Sequence, residues 1–598
     1  MSQLHTLAFT FFCAFALAAS NLSTKCKCAP GDSCWPSFSD FSALNRTLGG
    51  RLIQALPPAS VCYQDQPNYN ATACDIVTTS WFNSKFHAND PISVGWPCWA
   101  NNPCPPIFSN GTSVTGDPEA GGTGCRIGAY PVYAVNATEE QHIVAAVKFA
   151  KKWRIRLNVK STGHSFLGRS TAFGSLSVWT HHMRGIEFHE SFQPKSCMVN
   201  RTQAAVTIAA GETDRDVYAA AAEHDAIVVG GSNQDVGIVG WFTGGGHGPL
   251  SSTYGLGVDN VLSARIVTPD GSLRTVNPCF NSDLFWAIRG GGGGTFGVIT
   301  SVTMRAHPTP KASRHELLLS SLNASDESSF WNIVADVMSE FPRLKKGGMQ
   351  GYAIILPPAS IPSWTMTWAF QVYDKPTGYI QTLIEPLLEK LNRINGTSIL
   401  YTSSVQDYSN YFAMWDSNIG NEPVASAGLA MGSRLIPPEA LTADPHRLAR
   451  ILQNVTAPIQ GSPALLYANM VSNDNHNILN EVSTTPAWRD ATLHLIVLEG
   501  FNDSYALSEA QPVFNRLTYE RVALLKSLAP ESGAYFNEAD AFDPNWQYDF
   551  WGHNYPRLRQ IKERYDPDSV LWCLSCVGSE EWAEDENGRL CRVPWATG

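Results

Sequence analysis

Apolar and polar positions alternate differently in successive parts of the chain. Between residue 21 and about residue 124 there is little periodicity, apart from a stretch over 38–56 that predicts a helix, and Pro, Cys and Asn are frequent. From residue 127 to about residue 307, β and α patterns alternate. The spacing predicts a helix over 139–153 and a buried strand over 155–159. A polar loop follows, and β character resumes over 175–179. Further on, a strand is predicted over 204–209, a helix over 213–223 and a short strand over 227–229. Strands over 261–267 and 273–275 flank Pro269-Asp270-Gly271, a turn signature, and predict a hairpin. A helix over 282–288 precedes a strand over 298–305. From about residue 309 to residue 529, strands over 349–356, 364–372 and 493–499 are mixed with helices over 328–340, 379–392 and 446–454. That mixture predicts an antiparallel sheet covered by helices. A helix over 512–528 leads to a tail of distinct character from Gly533.

These shifts divide the chain into a leader (1–19), a Cys-rich extension (20–124), a first domain (125–308), a second domain (309–529) and a C-terminal segment (530–598) that returns to the first. The residues around 7–19 form an apolar run too short to span a bilayer. The run ends in small residues suited to signal peptidase, so an exported protein with no membrane segment is expected. The formal net charge of −11 argues against a nucleic-acid partner. Cysteine usage fits export. Beyond Cys13, eight cysteines crowd the early chain (Cys26, Cys28, Cys34, Cys62, Cys74, Cys98, Cys104 and Cys125) and imply disulfides whose pairing the spacing does not fix. No matched pairs for zinc occur, so no metal site is expected. Cys573 and Cys576 read as structural, bonded to Cys591 or to others. An odd total leaves one thiol over. Ten Asn-x-Ser/Thr sequons, at Asn21, Asn45, Asn70, Asn110, Asn136, Asn200, Asn323, Asn395, Asn454 and Asn502, predict glycosylation.

Three glycine-rich features carry the candidate chemistry. The loop VKSTGHSFLGRS, 159–170, leaves a buried strand. It offers small residues, hydroxyls and closely approachable backbone, a form suited to a phosphate-bearing cofactor, with His164 at its centre. Taken alone it could equally be a turn with one exposed His. A second stretch, GGSNQDVGIVGWFTGGGHGPLSSTYGLGVD over 230–259, holds ten glycines among bulky apolar residues. It reads as backbone lying close against a large flat ligand. The third, GGGGGTFG over 290–297, contains G-x-G-x-x-G, but a helix precedes it and a strand follows. A dinucleotide fold requires the reverse order, so that reading fails. No G-x-S-x-G nucleophile elbow is present.

The succession of these segments with FWGHNYPRL and YDPDSVLW in the tail resembles the flavoprotein oxidases of the vanillyl-alcohol-oxidase and p-cresol-methylhydroxylase superfamily, in its berberine-bridge-enzyme-like branch. CKCAPGDSCWPS and SNQDVGIVGWFTGGGHG are most similar to exported fungal proteins of the isoamyl-alcohol-oxidase-like group, several of which act in secondary metabolism. The resemblance implies an α+β protein: a two-lobed FAD-binding domain and an antiparallel sheet-and-helix substrate domain. It implies FAD bonded covalently to His164, with Ser161, Thr162, Gly163, Ser165 and Phe166 around the pyrophosphate. Val239, Gly240, Gly244, Gly245, Gly246, Tyr254, Gly255 and Gly257 would line the flavin, and Asn554 would sit against its ring. Where bicovalent relatives carry Cys and His, this chain has Asn233 and Trp241, so a single covalent anchor is expected. Phe550 replaces a Tyr with a proposed role in deprotonation, which leaves the base open among Tyr535, Asp540 and Tyr548, with Glu538 and Asp549 nearby. His247 reads as a structural hydrogen-bonding group. The expected activity is hydride transfer from an alcohol or secondary-metabolite intermediate to FAD, with oxygen as acceptor and hydrogen peroxide as product. A carbohydrate oxidase, or a non-catalytic binding protein on the same fold, are the alternatives. Six aromatics of the second domain (Trp331, Trp364, Trp368, Tyr401, Phe412 and Trp415) suit either sugar stacking or an apolar pocket.

Overall fold

The computed structural model describes residues 26–593 except 196, 198–201, 359, 419–427, 460–463, 503 and 586–587. The expected leader and the sequons Asn21 and Asn200 lie outside the described residues.

Three main sheets build the molecule. The first orders Leu52–Gln54, Tyr133–Asn136, Leu176–Trp179 and Leu157–Lys160, parallel except at its Leu52–Gln54 edge. The helix Glu140–Trp153 covers it, burying Ile143, Ala146, Val147 and Ala150 on one stripe. The predicted helix over 38–56 is shorter, Phe38–Thr47, because Leu52–Gln54 is recruited as that edge strand. The second sheet is antiparallel, with Ile186–Phe192, Gln203–Ala209, Val298–Pro308, Val261–Val267 and Leu273–Val276 in order, and Ala226–Val228 paired to the end of Val298–Pro308. The expected hairpin is its Val261–Val267 and Leu273–Val276 pair.

The third sheet has seven antiparallel strands: Ile399–Tyr408, Ala312–Ser321, Thr365–Tyr373, Gln350–Leu356, Ala464–Asn469, Leu493–Phe501 and Gly428–Ile436. Its two faces separate by residue parity. On Leu493–Phe501, Leu493, Leu495 and Val497 enter the core beneath the helices, while Ile496 and Leu498 face a cavity shared with the first two sheets. The helices Glu327–Ser339, Tyr379–Asn392 and Pro445–Thr456 cover the core side. The predicted helix over 512–528 begins earlier, at Leu507, and passes through a π-helical turn at Leu517–Val522.

Among the described residues, six disulfides form: Cys26–Cys591, Cys28–Cys34, Cys62–Cys74, Cys104–Cys125, Cys197–Cys279 and Cys573–Cys576. Cys98, the other described cysteine, is buried beside the Trp96 carbonyl. Cys591 closes the chain onto the extension instead of bonding the C-x-x-C pair, whose two cysteines bond each other. Among the described residues, no helix is long and apolar enough to cross a membrane.

The third sheet is fastened to the first domain by buried polar contacts. Arg489 makes a two-pronged pair with Asp259, at 2.7 and 2.9 Å, with both side chains almost fully buried. Ser251 donates to the carbonyl of Val471, and Gln371 and Tyr373 donate to that of Pro249. Arg489→Met would leave Asp259 buried without its cation and should cost about 3–5 kcal/mol, seen as unfolding at lower denaturant. An Arg489→Met, Asp259→Leu double variant should recover part of that loss.

Candidate active site

The loop after strand Leu157–Lys160 is set from below by the N-terminal extension. Buried Lys160 donates to the carbonyls of His87, Ala88 and Asp90, at 2.9, 3.3 and 2.8 Å. Burial pulls its pKa down to about 7, opposed by Asp90. Gly95 N–H donates to Gly163 O at 3.0 Å, and the Trp99 indole donates to Phe166 O at 2.9 Å. Trp96 meets the rings of His164 and Phe166, with centroids 5.8 and 4.1 Å apart. The extension therefore supplies a wall of the site as well as an outer wrap.

Above the loop lies a cavity of about 780 Å³. Ser161, Thr162, Gly163, His164, Ser165 and Phe166 line it, as do Val239 and Gly240. Gly292, Gly293, Gly294 and Gly297 also line it. They belong to the glycine run that fails as a dinucleotide motif, and they form a wall between the helix Ser282–Ile288 and the strand Val298–Pro308. The sequence reading explained that run away and did not assign it to the cofactor. Arg169 was missed too. Its guanidinium lies 3.4 Å from the Phe536 ring centroid and donates to Asn537 Oδ1 and Phe536 O, which ties the loop to the tail.

Several expected cofactor contacts are elsewhere. Among the described residues, Gly244, Gly245, Gly246, Tyr254, Gly255, Gly257 and Asn554 do not line the cavity. Within the second stretch Gly231, Gly237 and Gly240 line the cavity, whereas Gly244, Gly245, Gly246, Gly255 and Gly257 pack against the protein itself. A Cβ on Gly246 or Gly257 would come within 3.0 or 2.5 Å of the Trp241 ring, and one on Gly245 within 3.2 Å of Tyr535. Gly257 N–H closes back on Gly246 O at 2.7 Å, and the Pro249–Asp259 segment docks on the third sheet. Tyr254 packs on His307. Asn554 donates to Thr484 O at 3.0 Å and so braces the glycine wall from behind, since Thr484 abuts Gly290.

The candidate bases separate in the same way. Tyr548 is exposed, away from the cavity. Asp540 is buried outside it, accepting from Phe542 N. Asp549 is engaged by Arg434 at 2.8 Å. Tyr535 does line the cavity, but its hydroxyl is held by Asn537 Nδ2, Gly246 N and Trp241 O, and burial pushes its pKa far up. A phenol held protonated in this way is a poor proton acceptor.

A different cluster meets at the cavity wall. His247 Nε2 lies 3.0 Å from Glu538 Oε2, His494 Nδ1 lies 3.5 Å from the same oxygen, and the Tyr352 hydroxyl is 3.4 Å from His247 Nδ1. His247, Glu538 and Tyr352 all line the cavity. Burial opposes ionisation of Glu538, but the two imidazoles outweigh it and keep its pKa below the usual value. Burial drops His494 to about 3. Parity was the available signal for His494, which shares the face of Ile496 and Leu498.

Segment 131–277 matches the family described as FAD binding domain, and 534–574 matches the family described as berberine and berberine like. The crystal structure of a VAO-type flavoprotein from Myceliophthora thermophila C1 is 33% identical and superposes with a TM-score of 0.87, covering 95% of this chain and 100% of that one. A more distant fold neighbour, the glucooligosaccharide oxidase of Acremonium strictum, is 18% identical with a TM-score of 0.56, over 75% of this chain and 92% of its own. Its flavin is a 6-S-cysteinyl, 8α-N1-histidyl FAD. The fold and site therefore define a VAO-type flavoprotein. The FAD-linked oxidoreductase apf9 of Gibberella fujikuroi is 35% identical over 97% of this chain and 99% of its own length. The chain belongs to the berberine-bridge-enzyme-like FAD-linked oxidoreductases, and FAD is its cofactor.

The residues present fit that cofactor. His164 Nε2 is buried with no hydrogen-bond partner in the protein, and the ring faces the cavity. Burial lowers its pKa to about 4, which leaves the imidazole neutral and nucleophilic. Gly240 and Gly294 have nothing within 4 Å of where a Cβ would stand, so both present bare backbone to the cavity.

Two outcomes follow. Gly248→Ala would drive a methyl into the Gly230 carbonyl oxygen and should lower the melting temperature sharply, whereas Gly240→Ala should leave it nearly unchanged. His87, beneath the loop, is fully buried, and burial holds its pKa near 4. Between pH 6.5 and 4 the unfolded chain binds a proton that the folded one refuses. Stability should therefore fall as pH falls through that window, by up to about 1.4 kcal/mol per unit. Denaturation of a His87→Gln variant should show a shallower loss.

Proposed function

We propose that the protein is an exported oxidase of hydrophobic alcohols, with FAD carried on His164 as its single covalent anchor. Bound FAD supplies the two-electron acceptor, and oxygen reoxidises it to give hydrogen peroxide. Ser161 to Phe166 would hold the pyrophosphate, and Gly240 and Gly292–Gly294 would flank the flavin. Asn233 and Trp241 both line the cavity, and no cysteine is among the lining residues, which supports one anchor over two.

The observation that carries the substrate reading is the composition of the sheet face opposite His164. Leu429, Met431, Ile496 and Leu498, with Met414 and Trp415, make one part of the lining apolar, beside Arg314, Tyr352, Gln371, Tyr467 and Asn469 of the same sheet. Of the six aromatics considered for sugar stacking, only Trp415 reaches the cavity. Trp331, Trp364 and Trp368 are buried in the core on the far side of the sheet. The apolar part gains from covering apolar surface, and the few polar groups beside it would orient a hydroxyl. Six disulfides support passage through an oxidising compartment.

Acid precipitation of the purified protein should leave yellow flavin on the chain, and His164→Ala should release it. A peroxide-coupled panel should then show turnover of long-chain or aromatic alcohols. Turnover of sugars alone would overturn the substrate reading.

A further inference from the structure

The cluster of His247, Glu538, His494 and Tyr352 is unexplained by flavin binding. The four residues come from distant parts of the chain: the glycine stretch, the tail, and two strands of the third sheet. Two of these groups are ionisable neighbours of one oxygen of the half-buried Glu538 carboxylate. Their arrangement is asymmetric, and the asymmetry separates their roles. His247 makes a true hydrogen bond to Glu538, whereas His494 stands at 3.5 Å, and neither of its ring nitrogens has a hydrogen-bond partner. Only His247 has its other nitrogen directed to a cavity hydroxyl, that of Tyr352.

We propose that His247, oriented by Glu538, is the catalytic base that takes the hydroxyl proton of the substrate, with Tyr352 able to pass it on. This rests on the alcohol-oxidase reading above. Glu538 accepts from Nε2–H, which fixes the tautomer and leaves the Nδ1 lone pair facing Tyr352. As the carbinol hydrogen leaves as hydride, carrying two electrons to the bound flavin, the O–H proton moves to Nδ1 and the C–O bond becomes C=O. The resulting imidazolium lies against the Glu538 carboxylate, so the charge formed at this step is already compensated. The backbone holds the arrangement. The carbonyl of His247 accepts from the Trp241 indole at 2.8 Å, and the Gly246 N–H is held by Tyr535.

The ionisable groups facing His247 are Glu538 and Tyr535 from the tail, Tyr352 from Gln350–Leu356 and His494 from Leu493–Phe501. Of these, burial favours the protonated phenol of Tyr535 and the neutral ring of His494, and Glu538 is the carboxylate hydrogen-bonded to the His247 ring. Trp488, also against the ring, carries no charge.

The test uses the intact holoprotein with 1-octanol and benzyl alcohol as probes. Flavin reduction is followed without oxygen from pH 5 to 9. Wild type should be reduced faster as pH rises through one ionisation. His247→Gln and Glu538→Gln should each slow reduction by about 10²–10⁴-fold, and His247→Gln should lose the pH dependence. In parallel, histidine-labelled NMR of the same proteins should show a downfield Nε2–H proton assigned to His247 that Glu538→Gln abolishes. That readout requires no turnover. If wild type is reduced and both variants keep its rate and pH profile, the base assignment is wrong and the oxidase reading stands. If neither probe reduces wild type, the oxidase reading falls and the base assignment falls with it. A stoichiometric divalent cation whose chelation stops reduction would make the cluster a metal centre and overturn the proposal.

Discussion

The site depends on one close contact of backbone with backbone. Residues 244–248 run against residues 230–231 and over the indole of Trp241 so tightly that a Cβ at Gly248 would occupy the Gly230 carbonyl. The Trp241 N–H donates to the carbonyl of His247, and the ring fills the space beneath Gly246 and Gly257. Because glycines carry no side chain, the packing is fixed by main chain, one indole and the side chains of Tyr535 and Asn537. The residue left standing out of that surface is His247. Dense packing of this kind has few alternative arrangements, which is why its one polar side chain can be aimed accurately.

From that contact the rest follows outward. The Pro249–Asp259 segment continues from the glycines into the face of the third sheet, where the buried Arg489–Asp259 pair and the bonds to Pro249 and Ser251 fasten it. The tail closes the other side. Asn537 and Tyr535 bind the carbonyl of Trp241, and Arg169 links the cofactor loop to Phe536 and Asn537. The cofactor loop, the glycine stretch and the sheet are thus joined through a few tail residues, and the cavity is the space these joints leave open.

The sequence revealed the local parts of this and little of their assembly. The strand over 493–499 and the helix over 139–153 were legible because each depends on near neighbours. The helix–glycines–strand order over 282–305 was read correctly and served to reject a dinucleotide fold. Its role as a cavity wall escaped, because nothing local says which side of a glycine run faces a ligand. Gly244, Gly245, Gly246, Gly255 and Gly257 were assigned to the flavin for the same reason: glycine signals close approach without naming the partner, and their neighbours here are Trp241, Tyr535, Asn537 and Asp259. His247 and Glu538 are 291 positions apart, a pairing no spacing could announce, and His247 was accordingly taken as structural. The bond from Cys26 to Cys591 was hidden likewise, since disulfide partners are chosen by the fold.

The spread of the cavity's walls along the chain has a consequence for biosynthesis. Trp96, His164, the glycine wall, the sheet face and Glu538 all border one cavity, so its walls are all present only once the chain has been made as far as Glu538. A nascent chain holding His164 but lacking the tail has no enclosed chamber to offer. A chain cut short before Glu538 would lack part of the cavity wall even with every residue of the 159–170 loop in place.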